Sequence, residues 1–355
     1  MRCSVKQSIA FLLHKGVRIT LLTHYIKKRC MIIRFKTIIN NSYGVKQYKA
    51  TVYPGSETEL IFSRFLTNRP VGKARIRFYE VVRTIVLKYE VIYGLQMLDF
   101  SQESLNEFYR FITYNRSHNY AILILKALRA VFSWCRQTGI IKSSPFDHFR
   151  IPAERYTSPI YLSLQDLNTI WKADLTDRPA LAIQRDIFIF QCNIGCRVGD
   201  LMRLTKHDVA NRAIEYIPKK TLNKKADTVT VPLNKIALTI LERYQNLPGE
   251  MILPFISVKN YNLSIKKILQ IAGINYPVIT LDPITGSETK VQLWTIASSH
   301  LARKTFIGNL YKSVKDPSLI SSMTGHTEGS RAFCRYRNID IDIKRDLVKL
   351  LEMGE

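Results

Sequence analysis

The chain has 355 residues, 46% of them hydrophobic, and carries 53 Lys and Arg against 28 Asp and Glu, a formal net charge of +25. This length and hydrophobic content suit two or three domains with buried cores and exclude wholesale disorder. The excess of positive charge favours a polyanionic partner, with nucleic acid as the first candidate and a generically basic protein as the alternative.

The six cysteines include no CxxC pair, which argues against a zinc site and indicates reduced thiols in an intracellular protein. No apolar run approaches the roughly 20 residues that span a membrane. The short stretch SIAFLL is followed by no secretory cleavage pattern. We therefore expect a cytoplasmic protein without a membrane partner.

Residues 1–56 contain no acidic residue, and eleven lysines and arginines fall among them. A segment of this kind is typical of an N-terminal arm that contacts DNA phosphates. Two other interpretations remain open. Acid-free leaders with arginines also resemble organelle transit peptides, or Met31 is the true start of translation.

Residues 57–140 show apolar residues at three- and four-residue intervals, the period of amphipathic helices. About four helices are predicted, in the stretches ELIFSRFL, ARIRFYEVVRTIVLKYEVIYG, DFSQESLNEFYRFI and NYAILILKALRAVFSWCRQTG. Ser101 can cap the third. Together these helices predict a compact all-α domain with basic residues on its outer faces.

Two prolines, several serines and mixed charge break the pattern over residues 141–158, which is typical of an interdomain linker. A second domain, residues 159–355, begins with the Ser-headed helix start SLQDLNTIW, and helices dominate to about residue 209. The stretches AIEYIPKK and DTVTVPL then alternate like two strands joined by a polar turn. Helices return to the end, interrupted by a loop around DPITGSET, so the predicted fold is mainly α with a small β-hairpin.

Four separated stretches of the second domain carry polar residues that packing does not require. In NIGCRVGDLMRL, Arg197 and Asp200 are three residues apart, so on a helix the carboxylate can hold the guanidinium in one orientation. In SSHLARKTF, a serine can begin a helix on which His300 and Arg303 lie one turn apart. Ordinary surface pairs are the alternative interpretation of both stretches.

The other two stretches are the hairpin tip and a C-terminal segment. Four lysines crowd the tip: Lys219, Lys220, Lys224 and Lys225. A lysine there can reach a DNA groove or donate a proton, although a solubilising turn is the commoner case. In GHTEGSRAFCRYRNID, His326 is followed ten residues later by Tyr336, which is flanked by two arginines as a tyrosine that meets a phosphate would be.

The order of these residues resembles the motif of the tyrosine recombinases, the phage-type integrases. The matching positions are Arg197, Lys220, His300-x-x-Arg303, Gly325-His326 and Tyr336. The resemblance covers about residues 57–350, with the helical domain similar to the core-binding domain of that family and the second domain similar to its catalytic domain. The sequence is most similar to integrases of mobile elements such as conjugative transposons. Many members place the tyrosine nine positions after the histidine, so the connecting segment here must be slightly longer.

The resemblance implies a site-specific recombinase that cleaves and rejoins DNA through a 3′-phosphotyrosine intermediate, integrating or excising a mobile element. It implies double-stranded DNA as the partner and four copies of the chain assembled on it, and it is compatible with a DNA-bending accessory protein. The C-terminal stretch DLVKLL has apolar spacing suited to docking on a neighbouring subunit, as such tails do in the family.

The chemistry of the residue types agrees with this assignment. Arg197 and Arg303 are permanently charged, planar and suited to the non-bridging oxygens of a phosphate. A phenol has a pKa of about 10, so Tyr336 needs a base, and His300 titrates near neutral pH. His326 would hydrogen-bond the phosphate.

A lysine would protonate the departing 5′ oxygen. Lys220 matches the position of this acid in the family. Lys219 stays open as the alternative acid, because a shift of one residue along a strand moves a side chain to the other face of the sheet. A phosphotyrosine ester conserves the energy of the broken linkage, so we expect no metal, ATP or other cofactor.

Two alternative functions remain. The first is a type IB topoisomerase, an enzyme whose active-site chemistry resembles that described above but which relaxes supercoils as a monomer. A DNA-binding regulator with vestigial catalytic residues is the alternative outside the enzymes, and it is weakened because every expected position of the motif is filled.

Overall fold

The computed structural model describes residues 33–39 and 46–52 as paired backbone, together with residues 56–69, 71–219, 222, 227–311, 314, 316–325 and 348. The chain divides into two compact units, Met1–Arg155 with Asp282–Ser287 and Tyr156–Leu281 with Glu288–Glu355. Three predicted site residues lie outside the described residues: Lys220, His326 and Tyr336. Residues 1–32 and most of the C-terminal tail lie outside them as well.

Within the basic N-terminal segment, the structure contains two antiparallel strands, β1 (Ile33–Ile39) and β2 (Lys46–Val52). Their register runs from Ile33 opposite Val52 to Ile39 opposite Lys46. The sequence analysis predicted no secondary structure here.

Four α-helices of the first unit confirm the four helices predicted from the sequence. They are α1 (Glu57–Thr67), α2 (Lys73–Tyr93), α3 (Gln102–Thr113) and α4 (His118–Gln137). The starts of α1, α3 and α4 are each fixed by a serine whose hydroxyl accepts a backbone N–H that the helix leaves unpaired: Ser56, Ser101 and Ser117. Ser101 is the cap that the sequence predicted.

Aromatic rings fill the core of the first unit. Tyr89 on α2 contacts Phe100 and Phe108 edge-on, with centroids 5.4 Å and 5.1 Å away. Phe146 and Phe149 are buried in the same core, although they come from the segment expected as a linker. The first unit therefore includes the chain as far as Arg155.

The second unit begins with helices. They are α5 (Leu164–Lys172), α6 (Pro179–Ile194) and the short α7 (Val198–Leu201). A three-stranded antiparallel sheet follows, in the order β3 (Val209–Ala210), β4 (Ala213–Tyr216), β5 (Val229–Pro232). The strand pair β4–β5 is the predicted hairpin, and β3 adds a short third strand.

The rest of the second unit is mostly helical. Its elements are α8 (Lys235–Arg243), α9 (Val258–Ile271), β6 (Pro277–Leu281), β7 (Glu288–Gln292), α10 (Leu293–Ile296), α11 (Ser299–Tyr311) and α12 (Pro317–Thr324). None of the described helices is both long enough and apolar enough to cross a bilayer.

Helix α6 is the centre of the second core. Its stretch IFIF is apolar on all sides, as expected for a helix surrounded by others, and α5, α8, α9 and α11 all pack against it. Asp186 is a buried acid on α6, and its carboxylate accepts hydrogen bonds from Arg185, Arg243 and the Tyr244 hydroxyl. This cluster ties α6 to the end of α8.

The loop predicted around DPITGSET is the turn of a second hairpin, which the sequence analysis missed. Strands β6 and β7 pair antiparallel, with Ile279 opposite Lys290. At the turn the Asp282 carboxylate accepts the backbone N–H groups of Ile284 and Thr285. Neither strand has a buried face, so the apolar alternation that signals a strand is weak.

Candidate active site

Arg197 follows a sharp exit from the central helix. Helix α6 is capped by Gly195, whose φ of 66° is left-handed and whose N–H bonds Gln191 O at 2.9 Å. A Cβ at Gly195 would lie 2.3 Å from the ring of Phe306. Arg197 then adopts extended backbone as the N-cap residue of α7, so its position depends on a turn that glycine makes possible.

Arg303 lies on α11 and is only 1% exposed. Its Nη1 donates to Gly195 O at 2.8 Å and its Nη2 to Thr324 O at 2.7 Å. The guanidinium is therefore oriented by two backbone carbonyls in the protein interior. The alternative of a surface His-Arg pair does not fit this burial.

Arg197 reaches the same end of α12. Its Nη2 donates to Gly325 O at 3.3 Å, and its Nη1 is buried without a hydrogen-bond partner among the described residues. Two guanidiniums thus meet the consecutive carbonyls of Thr324 and Gly325, where the C-terminal end of a helix favours positive charge. The next residue in the chain is His326.

The hairpin lies against this helix end. Gly325 has a left-handed φ of 60°, and a Cβ there would be 2.9 Å from Pro218 Cγ and 3.2 Å from Val229 Cγ2. The backbone N–H of Lys219 donates to Asp200 Oδ1 at 2.9 Å. The strand end that leads to the tip lysines is therefore fixed beside the two arginines.

Asp200 has different partners from those predicted. Its Oδ1 accepts from Arg203 Nη2 at 3.1 Å and from the Lys219 N–H, not from Arg197. The predicted contact would require both residues to lie within one helix, but Arg197 precedes the first helical residue. The buried carboxylate of Asp200 holds the hairpin in place instead.

The structure brings together three of the four predicted stretches and the beginning of the fourth. Arg197, Asp200, Lys219 and Arg303 are linked by the contacts above, and His300 is exposed on α11, one turn before Arg303. Lys220, His326 and Tyr336 stay predictions, since they lie outside the described residues.

Two other nucleophilic side chains lie near the arginines. Burial raises the pKa of the Cys196 thiol and of the Tyr216 hydroxyl, and the neighbouring positive charges of Arg303 and Arg197 only partly oppose this. Both groups are therefore held in their protonated, unreactive forms. Among the described residues, no cluster of three or more His, Cys, Asp or Glu side chains could hold a metal ion.

A buried polar pair at the peptide bond before Arg197 was not predicted from the sequence. The Tyr261 hydroxyl donates to Gln191 Oε1 at 3.0 Å, and Gln191 Nε2 donates to Cys196 O at 3.1 Å. Both side chains are 0% exposed. The available signal was a glutamine inside the apolar run FIFQCNIG, where a buried helix needs no polar residue.

A scan of protein-family models gives no match, and no curated protein matches the sequence. Solved structures do match. The Tn1549 transposon integrase in complex with transposon right-end DNA superposes with a TM-score of 0.65 at 14% identity, over 83% of this chain and 99% of that one. A lambda integrase dimer bound to a COC′ core site gives 0.58 at 16% identity, over 76% and 94%.

A lambda integrase tetramer bound to a Holliday junction gives a TM-score of 0.58 at 16% identity, over 79% of this chain and 78% of that one. These matches confirm the predicted fold class, a helical unit followed by a mainly helical unit with small antiparallel sheets. The chain has the tyrosine recombinase fold of the transposon and phage integrases.

Proposed function

We propose that the chain is a site-specific tyrosine recombinase that integrates or excises a mobile DNA element. The observation that carries the proposal is the convergence of Arg197 and Arg303 on the Thr324 and Gly325 carbonyls, directly before His326. Two fixed guanidiniums at a helix end that is followed in sequence by a histidine and a tyrosine are suited to a phosphodiester.

The arginines would bind the non-bridging oxygens of the scissile phosphate. Arg197 Nη1 is buried and unpaired among the described residues, and burial of such a donor is unfavourable unless an acceptor arrives. Arg303 is held in a fixed orientation by two backbone carbonyls. Positive charge fixed in place before the reaction stabilises the charge that develops on the phosphoryl oxygens.

Tyr336 would act as the nucleophile. Its oxygen bonds to phosphorus as the bond to the 5′ oxygen breaks, His300 accepts the phenolic proton, and Lys220 or Lys219 protonates the departing oxygen. His326 would donate a hydrogen bond to the phosphate. Attack by another strand's 5′ hydroxyl on the phosphotyrosine reverses these steps and completes the exchange.

Assembly and accessory contacts belong to the same proposal. A lambda integrase of the same fold is solved as a tetramer bound to a Holliday junction, which supports a homotetramer on double-stranded DNA. A DNA-bending protein is proposed as a further partner by analogy with integrases alone. We assign residues 1–56 to an arm-type DNA contact, because the segment has no acidic residue and its strands pair Lys36 with Lys49 in register. Action on DNA is consistent with a cytoplasmic location.

Covalent trapping tests the proposal. A suicide substrate built from the joined ends of the mobile element that encodes the chain should give a protein–DNA adduct that resists denaturation. Tyr336→Phe should abolish the adduct because the attacking oxygen is lost. Tyr311→Phe is the matched control and should retain it. An adduct formed by the Tyr336→Phe protein would contradict the assignment of the nucleophile.

The type IB topoisomerase alternative predicts a different product. A recombinase converts a plasmid carrying two target sites into joined or excised circles, whereas a topoisomerase relaxes a supercoiled plasmid without joining sites. Agarose gel analysis of one reaction distinguishes the two outcomes.

A further inference from the structure

We propose that Gln191 and Tyr261 are positioning residues that fix the orientation of Arg197 for reaction, an inference that rests on the proposed function. Neither residue would touch DNA. They act through the backbone that carries the arginine.

The pair forms a fully buried hydrogen-bonded chain between two helices. Tyr261, near the start of α9, donates its hydroxyl proton to Gln191 Oε1 at 3.0 Å, and Gln191, near the end of α6, donates from Nε2 to Cys196 O at 3.1 Å. The orientation of the glutamine amide follows from these partners, because a carbonyl accepts only from the NH₂ side. Tyr261 thus sets the direction in which Gln191 donates.

The acceptor is the peptide bond that enters Arg197. The two peptide planes before this residue are each held by a buried donor, Gly195 O by Arg303 at 2.8 Å and Cys196 O by Gln191 at 3.1 Å. These two planes flank Cys196, so they fix its dihedrals and orient the peptide that enters Arg197. The peptide that leaves Arg197 is held in turn, because Arg197 O accepts the N–H groups of Asp200 at 2.9 Å and Leu201 at 2.8 Å. With the planes on both sides of Arg197 fixed, the direction in which its side chain leaves the backbone is determined. Arg303 and Gln191 therefore act together to orient the guanidinium of Arg197.

Packing alone does not explain the pair. An apolar side chain of similar volume at position 191 would fill the core around α6 without the cost of burying an amide. Removal of one partner leaves a buried polar group unpaired and allows the 196–197 peptide to rotate. A misplacement of about 1 Å in a catalytic group costs on the order of a hundredfold in rate.

Single-turnover cleavage of the suicide substrate at saturating full-length protein tests the inference. Gln191→Leu and Tyr261→Phe should lower the first-order cleavage rate by roughly tenfold to a hundredfold. Their DNA dissociation constants should stay near the wild-type value, because affinity comes mainly from many phosphate contacts elsewhere.

Tyr244→Phe is the matched control. It removes a tyrosine hydroxyl of the same unit that donates to Asp186 at 2.9 Å, where the neighbouring arginines are Arg185 and Arg243 and not Arg197 or Arg303. This variant should lose thermal stability and cleave at the wild-type rate. If it slows cleavage as much as Tyr261→Phe does, general destabilisation explains both effects and the inference is overturned.

Gln191→Glu provides a conservative rescue with a pH readout. Burial raises the pKa of a carboxyl group at such a position, and the protonated acid can both donate to Cys196 O and accept from Tyr261. The ratio of the variant's cleavage rate to that of the wild type should therefore rise as the pH falls. A ratio that stays as low as that of Gln191→Leu at every pH contradicts the hydrogen-bonding role.

The outcomes separate this inference from the proposed function. If the wild-type protein forms no adduct on its element ends, the proposed function fails. If the wild type is active and Tyr261→Phe cleaves at the same rate, the positioning role fails. If Gln191→Leu does not fold, the cleavage rate of Tyr261→Phe alone tests the positioning role.

Discussion

Glu90 lies inside the helical first unit at 3% exposure. Its Oε1 accepts hydrogen bonds from Thr58 Oγ1 at 2.5 Å and from the Met97 N–H at 2.7 Å, and its Oε2 has no partner among the described residues. Burial raises the pKa of this carboxyl group, the negative charges of Glu57 and Asp99 raise it further, and the two hydrogen bonds only partly oppose the shift. The first unit thus favours the neutral acid.

This shift makes the stability of the chain pH-dependent. A group whose pKa is higher when folded contributes stability that is complete below its unfolded pKa and is lost as the pH rises through the folded pKa. We therefore expect the melting temperature of Glu90→Gln, relative to wild type, to increase as the pH is raised from about 4 to 8. Scanning calorimetry measures it. Glu80→Gln, an exposed change on the same helix, should show no such trend, and a wild-type profile parallel to that of Glu90→Gln would refute the explanation.

Individual site residues differ in how far the sequence predicts them. Arg197 and Arg303 followed from motif order and from the chemistry of guanidiniums. The partners of Asp200 did not, since Lys219 is brought to it by a hairpin that folds back from distant sequence. Gln191 carried only the weak signal of a polar residue in an apolar helix, and its role depends on Tyr261, which is far away in the chain.

At the scale of elements, the turn after α6 determines where Arg197 lies. Gly195→Ala should lower the free energy of unfolding by about 1–2 kcal/mol from the left-handed backbone alone. The ring of Phe306, 2.3 Å from the new Cβ, should add roughly 1–3 kcal/mol of overpacking. Cleavage should fall as well, because relief of the clash moves the loop that carries Arg197.

Gly139→Ala separates the cost of the left-handed backbone from the cost of overpacking against Phe306. Gly139 has a similar left-handed φ of 74°, but nothing lies within 4 Å of its Cβ position. Urea unfolding of both variants should show a clearly smaller loss at Gly139. Equal losses would mean that Phe306 accommodates the added methyl group.

Helices were predicted more reliably than strands. The α1–α4 periodicity is long and marked, and serine caps identify three of the starts. The β6–β7 hairpin was not predicted because its strands are short and contain only exposed and half-buried residues. Its turn chemistry, with Asp282 accepting two backbone N–H groups, was visible only as a loop.

For the whole molecule, the net charge of +25 makes a prediction about salt. When binding neutralises phosphates, the logarithm of the association constant falls linearly with the logarithm of the salt concentration. The slope is about −0.9 for each phosphate contact. Fluorescence anisotropy with element-end DNA should show a steep negative slope. A chain that lacks residues 1–55 loses eleven basic residues and should give a shallower slope.

Two results would contradict this account. An unchanged slope after truncation would remove the DNA-arm assignment of the N-terminal segment while leaving the rest intact. Affinity that is independent of salt in the complete chain would mean that its basic surface does not contact the backbone of DNA.

The anchoring of Thr324 and Gly325 by the two arginines limits how far Tyr336, the proposed nucleophile, can reach. The eleven residues that follow, which end at Tyr336, start at a fixed point beside the two guanidiniums. A fully extended tether of that length spans at most about 40 Å. If Tyr336 acts as proposed, its exchange between subunits would be restricted to donors whose own arginine pair lies within that distance of the phosphate that is attacked, and the spacing of protomers along DNA would help to determine which strand is cut.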